Sequence, residues 1–157
     1  MNETLPSFKT IIAPVDFSDP SVNALRYSAF LASTFQSLII LLHVVEPFIF
    51  PAELSIVSQV DVSEIEKEME NRAKTALGSL ASEYLQGINY RIETLIGPAA
   101  DTILLSAESN QADLIVIATH GYSGIKHLLL GSTTEKIIRH ASCPVLTVRH
   151  QFPTESQ

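Results

Sequence analysis

Short runs rich in Val, Ile and Leu alternate along the chain with stretches whose apolar residues step by three and four. The runs are "TIIAPV" (10–15), "SLIILLHVV" (37–45), "INYRIETLI" (88–96), "DLIVIA" (113–118) and "PVLTVR" (144–149). Four of them are nearly continuous in apolar character, the pattern of strands covered on both faces by helices. The run at 88–96 alternates apolar and polar positions, which predicts an edge strand.

Between the first two runs, Asp19 followed by Pro20 fits an N-cap and first helical position, and Val22, Leu25, Ala29, Ala32 and Phe35 fall on one helical face, so residues 20–35 are predicted helical. From Val62, the series Ile65, Met69, Ala73, Ala76, Leu80 and Tyr84 predicts a second helix, with Gly87 as its stop signal. A third follows Gly97 and Pro98 and is expected to bury Ala100, Ile103, Leu104 and Ala107. A fourth begins near Ser132, where Ser132 and Glu135 have capping-box spacing, and ends before Cys143 and Pro144. Arg139 and His140 in its last turn suit the negative end of the helix dipole.

The resulting order, βαβαβαβαβ, predicts a doubly wound α/β fold: a five-stranded parallel sheet with helices on both faces. With strand order 3-2-1-4-5, the winding reverses between the first and fourth strands, and a ligand crevice is expected outside their carboxyl ends. Its walls would be "APVDFS" (13–18) and "ATHG" (118–121), with "GSTTE" (131–135) beneath.

Composition narrows the picture. No composition break, linker or repeat divides the 157 residues, so one domain is expected over 1–157, its core at about 8–150. A net charge of −7 with scattered basic residues argues against nucleic-acid and anionic-membrane partners, which need clustered Lys and Arg. The amino terminus lacks an apolar h-region, and the longest apolar run, "LIILLHVV" (38–45), is too short to cross a bilayer, so a soluble cytoplasmic protein is expected. Cys143 is the sole cysteine, fits no metal spacing, and reads as a small residue packed before the last strand.

In the crevice, Asp16 closes the first strand, where a carboxylate either accepts hydrogen bonds from a ribose diol or caps the following turn. Gly131 and Ser132 open the fourth helix, whose N–H groups and positive dipole end form an anion site. Gly131 would let a phosphate approach without a Cβ, while Ser132, Thr133 and Thr134 offer hydroxyls. The competing reading is that Ser132 and Glu135 cap one another and leave no vacancy. His120, beside Gly121, either contacts phosphate or ribose or stabilises a turn; Lys126 and His127 are the nearby cations or else solvated residues. There is no GxxxxGK[ST] and no GxGxxG after the first strand. No nucleophile, base and orienting acid stand out as a set, and no carboxylate–histidine group has metal-ligand spacing, so no catalytic residue or resident metal site is assigned.

The stretch "ATHGYSGIKHLLLGST" (118–133) carries a resemblance to a known family. The chain resembles the universal stress protein family over nearly its whole length. The family's nucleotide-binding pattern is Gly, two residues, Gly, nine residues, then Gly followed by Ser or Thr. Gly121 stands at the second glycine and Gly131 with Ser132 at the close, while Ala118 stands where the first glycine is expected. "IIAPVDFSDPSVNAL", "LLHVVEP" and "RHASCPVLTVR" are similar to the family's first strand and turn, second strand end and final strand.

What the resemblance implies is a Rossmann-like fold of the adenine nucleotide alpha hydrolase kind and a site for ATP, or for AMP or ADP, with Mg2+ carried by the nucleotide. Pro14, Val15 and Asp16 would line adenine and ribose, and Val44 would pack on the adenine. Ala118 and Gly121 would pass under sugar and phosphates, with His120 beside them; Gly131, Ser132, Thr133 and Thr134 would hold the phosphates. It also implies a homodimer that pairs the final strand, Val145, Leu146, Thr147 and Val148, with its copy. Independently, that strand is expected at a sheet edge, where unpaired backbone invites a partner unless the tail "HQFPTESQ" protects it. The long apolar connection 46–61 reads as a lid or a partner surface. Three functions follow: an ATP-binding regulatory dimer of the stress-response type with at most slow hydrolysis, an interaction dimer with an empty crevice, and, with least support, an adenylating enzyme.

Overall fold

The computed structural model describes residues 7–47, 62–119 and 130–149. Along them run β1 (Thr10–Pro14), α1 (Asp19–Phe35), β2 (Leu38–Val45), α2 (Val62–Tyr84), β3 (Tyr90–Ile96), α3 (Ala99–Ser109), β4 (Leu114–Ala118), α4 (Ser132–His140) and β5 (Val145–Val148). The five strands form one parallel sheet in the order β3-β2-β1-β4-β5, as the apolar runs predict.

Strand alternation divides the core into two layers. Ile11, Ala13, Ile39, Leu41, Leu114 and Val116 pack against α1 and α2, whereas Ile12, Ile40, Leu42, Ile115 and Ile117 pack against α3 and α4. Successive residues therefore serve opposite faces, which is why β1, β2 and β4 need apolar side chains at consecutive positions. Full burial of each Leu or Ile contributes about 1.5–3 kcal/mol. β3 occupies the edge that its alternation predicts, with Tyr90 and Ile96 exposed.

Helix faces differ in detail from the periodicity. In α1 the buried positions are Ser21, Ala24, Leu25, Ser28 and Ala32. Small residues let the helix backbone sit close to the sheet, and Ser28 satisfies its hydroxyl on the Ala24 carbonyl at 3.1 Å. Val22 and Ala29 are half-buried, and Phe35 is exposed, edge-on to Phe8 at 5.3 Å. In α2 the buried stripe is Ala73, Leu77 and Ala81, continued by Leu85 beyond the helix, while Met69 is exposed. Ala76, Leu80 and Tyr84 flank that stripe, because alanines at alternate turns bring this face nearest the strands. The α1 cap is also one residue earlier than predicted: Ser18 is the N-cap and Asp19 the first helical residue.

Two local features shape the carboxyl end of the sheet. Even-numbered β1 residues turn their backbone toward β4, as the 2.9 Å bond from the Asp113 N–H to the Thr10 carbonyl shows. Pro14 is the next even position after Ile12, and it has no N–H to give, so β1 and β4 pair at Ile11–Leu114 and Ile12–Ile115 and then separate. Gly97, with φ +155°, then turns the chain from β3 into α3; a Cβ there would lie 2.5 Å from the Thr102 hydroxyl oxygen. Cys143 is half-buried; burial first, and then the Asp113 carboxylate, push its thiol pKa above the ordinary value, consistent with a packing role. No helix among the described residues is long and apolar enough to cross a membrane.

Candidate functional site

Where β1 and β4 part, a cleft of about 400 Å³ opens at the carboxyl ends of the strands. Pro14, Val15, Asp16, Val44, Ala118, Gly131, Ser132, Thr133 and Thr134, all singled out in the sequence, line it together. His120 and Gly121 lie outside the described residues, as do Lys126, His127, the 48–61 part of the long connection and the carboxyl-terminal tail.

The β1 end is a tightly bonded loop. Asp16 Oδ1 accepts from the Ser18 N–H at 3.1 Å and from the Ser18 hydroxyl. Ser18 Oγ in turn accepts from the Ser21 N–H at 3.4 Å, and Ser21 Oγ donates to the Ser18 carbonyl at 2.9 Å. Asp16 thus braces the α1 start while its exposed carboxylate also lines the cleft. A carboxylate has roughly four acceptor positions, so the two reading choices for Asp16 are compatible.

The α4 start is built differently. Gly131 is the N-cap, with φ −67° and ψ 147°, and makes no side-chain cap bond. The capping box that was the competing reading for Ser132 and Glu135 does not form: Ser132 is already the first helical residue, and Glu135 instead binds Arg139 at 2.7 Å. One turn of helix separates those two charges, and that pairing takes the carboxylate away from the N-terminus. The Gly131 N–H is committed to the Thr119 carbonyl at 2.9 Å, and Thr134 Oγ1 to the Ala118 carbonyl at 2.9 Å. Thr134 therefore presents its N–H rather than its hydroxyl. The N–H groups of Ser132, Thr133 and Thr134 precede the first intrahelical bond, from the Glu135 N–H to the Gly131 carbonyl at 2.9 Å, and form a positive terminus at the cleft that no side chain among the described residues caps.

Ala118, where a glycine was expected, directs its methyl into the core layer under α1. Only its backbone faces α4, so the extra methyl does not fill the cleft.

Sequence reasoning missed the β2 end as a chemical wall. Val44 turns its backbone toward β1, because Leu42, two residues earlier, accepts from the Val15 N–H at 2.8 Å. β1 has ended by that point, and Val44, which stays in register with Leu95 of β3, makes no backbone bond to the β1 side among the described residues. His43 and Glu46 also line this wall, and Ala99 and Ile103 of α3 supply apolar surface. The His43 ring lies 4.5 Å from that of Phe17 at 38°, and its Nδ1 lies 2.8 Å from the Val15 carbonyl. An LLHVV run signals a buried strand; nothing in it says where its neighbour stops. No Lys or Arg is among the described lining residues, and the described residues hold no group of three or more His, Cys, Asp or Glu placed to bind a metal ion.

Comparison with known proteins gives a consistent result. Residues 7–149 match the profile of the universal stress protein family. A universal stress protein of Methanocaldococcus jannaschii is 37% identical over 145 residues, covering 90% of this chain and 82% of that protein. Among solved structures, UspA from Lactobacillus plantarum is 26% identical with a TM-score of 0.79, covering 91% of this chain and 99% of the other. A second Methanocaldococcus jannaschii protein is 29% identical with a TM-score of 0.74, covering 92% and 98%.

Proposed function

The chain belongs to the universal stress protein family, and we propose that it acts within that family as a cytoplasmic regulatory protein that binds an adenine nucleotide, ATP or a shorter form, in the cleft above β1 and β4. The carrying observation is the order of chemistry across the sheet. The backbone donor and acceptor of Val44 stand on β2, the Asp16 carboxylate on β1, and the uncapped N–H groups of α4 beyond β4. That order matches base, ribose and phosphate, and the span of two strand spacings, about 10 Å, suits a nucleoside phosphate.

Adenine offers a ring acceptor and an exocyclic donor on one edge, complementary to the N–H and C=O of Val44. Asp16 accepts from the ribose hydroxyls. Ser132 and Thr133 bind phosphate through N–H and hydroxyl groups, Thr134 through its N–H, and Gly131 leaves the approach open. His120 and Gly121 belong to the same proposal. Magnesium arrives on the phosphates. Two family structures support this reading by their own ligands: one universal stress protein is in complex with cAMP (22% identity, TM-score 0.59), and one from Arabidopsis thaliana has AMP bound (17% identity, TM-score 0.58).

The proposal includes a homodimer through β5. That strand pairs with β4 on one side, and Leu146 is exposed on it. Pairing with a second β5 would satisfy the outer backbone groups. Leu146→Asp is expected to convert the dimer to monomer in light scattering; a parent that is already monomeric would remove the dimer from the proposal.

Calorimetry with MgATP and AMP tests the site directly. Among the described residues, a Cβ at Gly131 meets only the Thr119 carbonyl oxygen, at 3.5 Å, an ordinary contact. Gly131→Val should therefore keep the parent circular dichroism spectrum and abolish nucleotide binding. Unchanged affinity in that variant would rule out the phosphate position.

A further inference from the structure

In a parallel ladder, a residue donates its N–H to one strand neighbour and accepts at its C=O from the residue two further along. Val15 follows the first half of that rule: its N–H donates to the Leu42 carbonyl at 2.8 Å. Its carbonyl is then due to receive the Val44 N–H. It receives the imidazole of His43 instead, with Nδ1 at 2.8 Å. A carbonyl only accepts, so Nδ1 carries the proton in this contact.

The ring also packs against that of Phe17, with centroids 4.5 Å apart. Phe17 has φ +65°, a left-handed backbone that non-glycine residues adopt at a cost of order 1–3 kcal/mol. The strained turn brings the Phe17 ring back over the end of β2. One β2 side chain therefore stands at the carbonyl that β2's own backbone would otherwise reach, and the Val44 N–H makes no bond to it.

We infer that His43 is a positioning residue for the nucleotide base: its imidazole, bonded to the Val15 carbonyl and packed on Phe17, fills the place where the β1–β2 ladder would close and keeps the Val44 N–H turned into the cleft. This rests on the nucleotide reading of the site. His43 touches backbone rather than ligand in this role, and its effect reaches the base through Val44.

The test combines amide hydrogen exchange of the free protein, read by NMR at Val44, with calorimetry using ATP and inorganic tripolyphosphate, each with magnesium. His43→Phe keeps a ring against Phe17 and deletes the donor. Val44 exchange should slow about tenfold or more as its N–H bonds to Val15. ATP affinity should fall about tenfold, the worth of one hydrogen bond, while tripolyphosphate affinity stays unchanged. His43→Asn, whose amide nitrogen stands near the Nδ1 position, should restore both readings and serves as the folded comparison if His43→Phe does not fold: fast Val44 exchange with parent ATP affinity supports the inference, and slow exchange overturns it. Unchanged Val44 exchange with unchanged ATP affinity would overturn the positioning role and leave the nucleotide reading standing. Equal losses for ATP and tripolyphosphate would also overturn it, because the effect would then be a general loss of structure. If the parent binds no ATP, the nucleotide reading fails and takes the base-positioning role with it, whatever the Val44 exchange shows.

Discussion

Two helices begin at the same cleft, and their first turns are finished in opposite ways. α1 starts with Ser18, whose hydroxyl is engaged with Asp16 and with the Ser21 N–H, so the terminus is closed by the chain's own side chains. α4 starts with Gly131, which has no side chain to offer, and its neighbouring Glu135 is drawn away to Arg139. Both stretches are rich in hydroxyls. A hydroxyl before a helix closes it, whereas hydroxyls inside the first turn leave the N–H groups for something else. The difference separates a terminus that holds the fold together from one that can hold an anion.

Giving α4 the cap it lacks should have the largest effect. Gly131→Asp places an acceptor and a negative charge at the N-cap, and the variant is expected to gain a few tenths of a kcal/mol in denaturant stability while losing ATP affinity about a hundredfold or more. Full affinity in calorimetry would mean that the α4 terminus is not where phosphate sits. Asp16→Ala comes next. It should weaken ATP by about 1–3 kcal/mol, through lost charge-assisted bonds to ribose, and leave tripolyphosphate alone. A variant that loses stability but binds ATP like the parent would make Asp16 a brace for α1 only.

The smaller effects lie in stability. Ser18→Ala opens the α1 terminus and should cost about 1 kcal/mol in urea unfolding, because the Ser21 N–H loses its acceptor. Thr134→Val deletes the hydroxyl bonded to the buried Ala118 carbonyl and should cost about 1 kcal/mol with ATP affinity preserved. A marked loss of ATP in that last variant would return the Thr134 hydroxyl to the phosphate site.

Much of this arrangement was legible in the residues. The apolar runs of β1, β2 and β4 have no arrangement other than between helices, and the alternation at 88–96 assigned β3 to an edge. Pro14 already carried the splay of β1 from β4, since a missing N–H is a property of the residue itself. Eight of the nine described cleft residues lie in the strand-end and helix-start segments that the one switch point of a doubly wound sheet marks, whereas Val44 came from the family resemblance. The β2 wall escaped, since reading Val44 as a donor and acceptor requires knowing that β1 ends beside it.

The sequence by itself determined which apolar runs become strands, the missing N–H of Pro14 and the missing side chain of Gly131. Those are local facts: burial preference, an absent N–H, an absent side chain. Only the tertiary structure decided which of several competing hydrogen bonds are made. Glu135 had a partner available at either end of its turn and took Arg139; Ala118 could have crowded the cleft and turned its methyl to the core; His43 took a carbonyl from a strand 28 positions away. Each choice depends on what the fold brings within 3 Å or so of a polar atom, and spacing along the chain does not encode that distance.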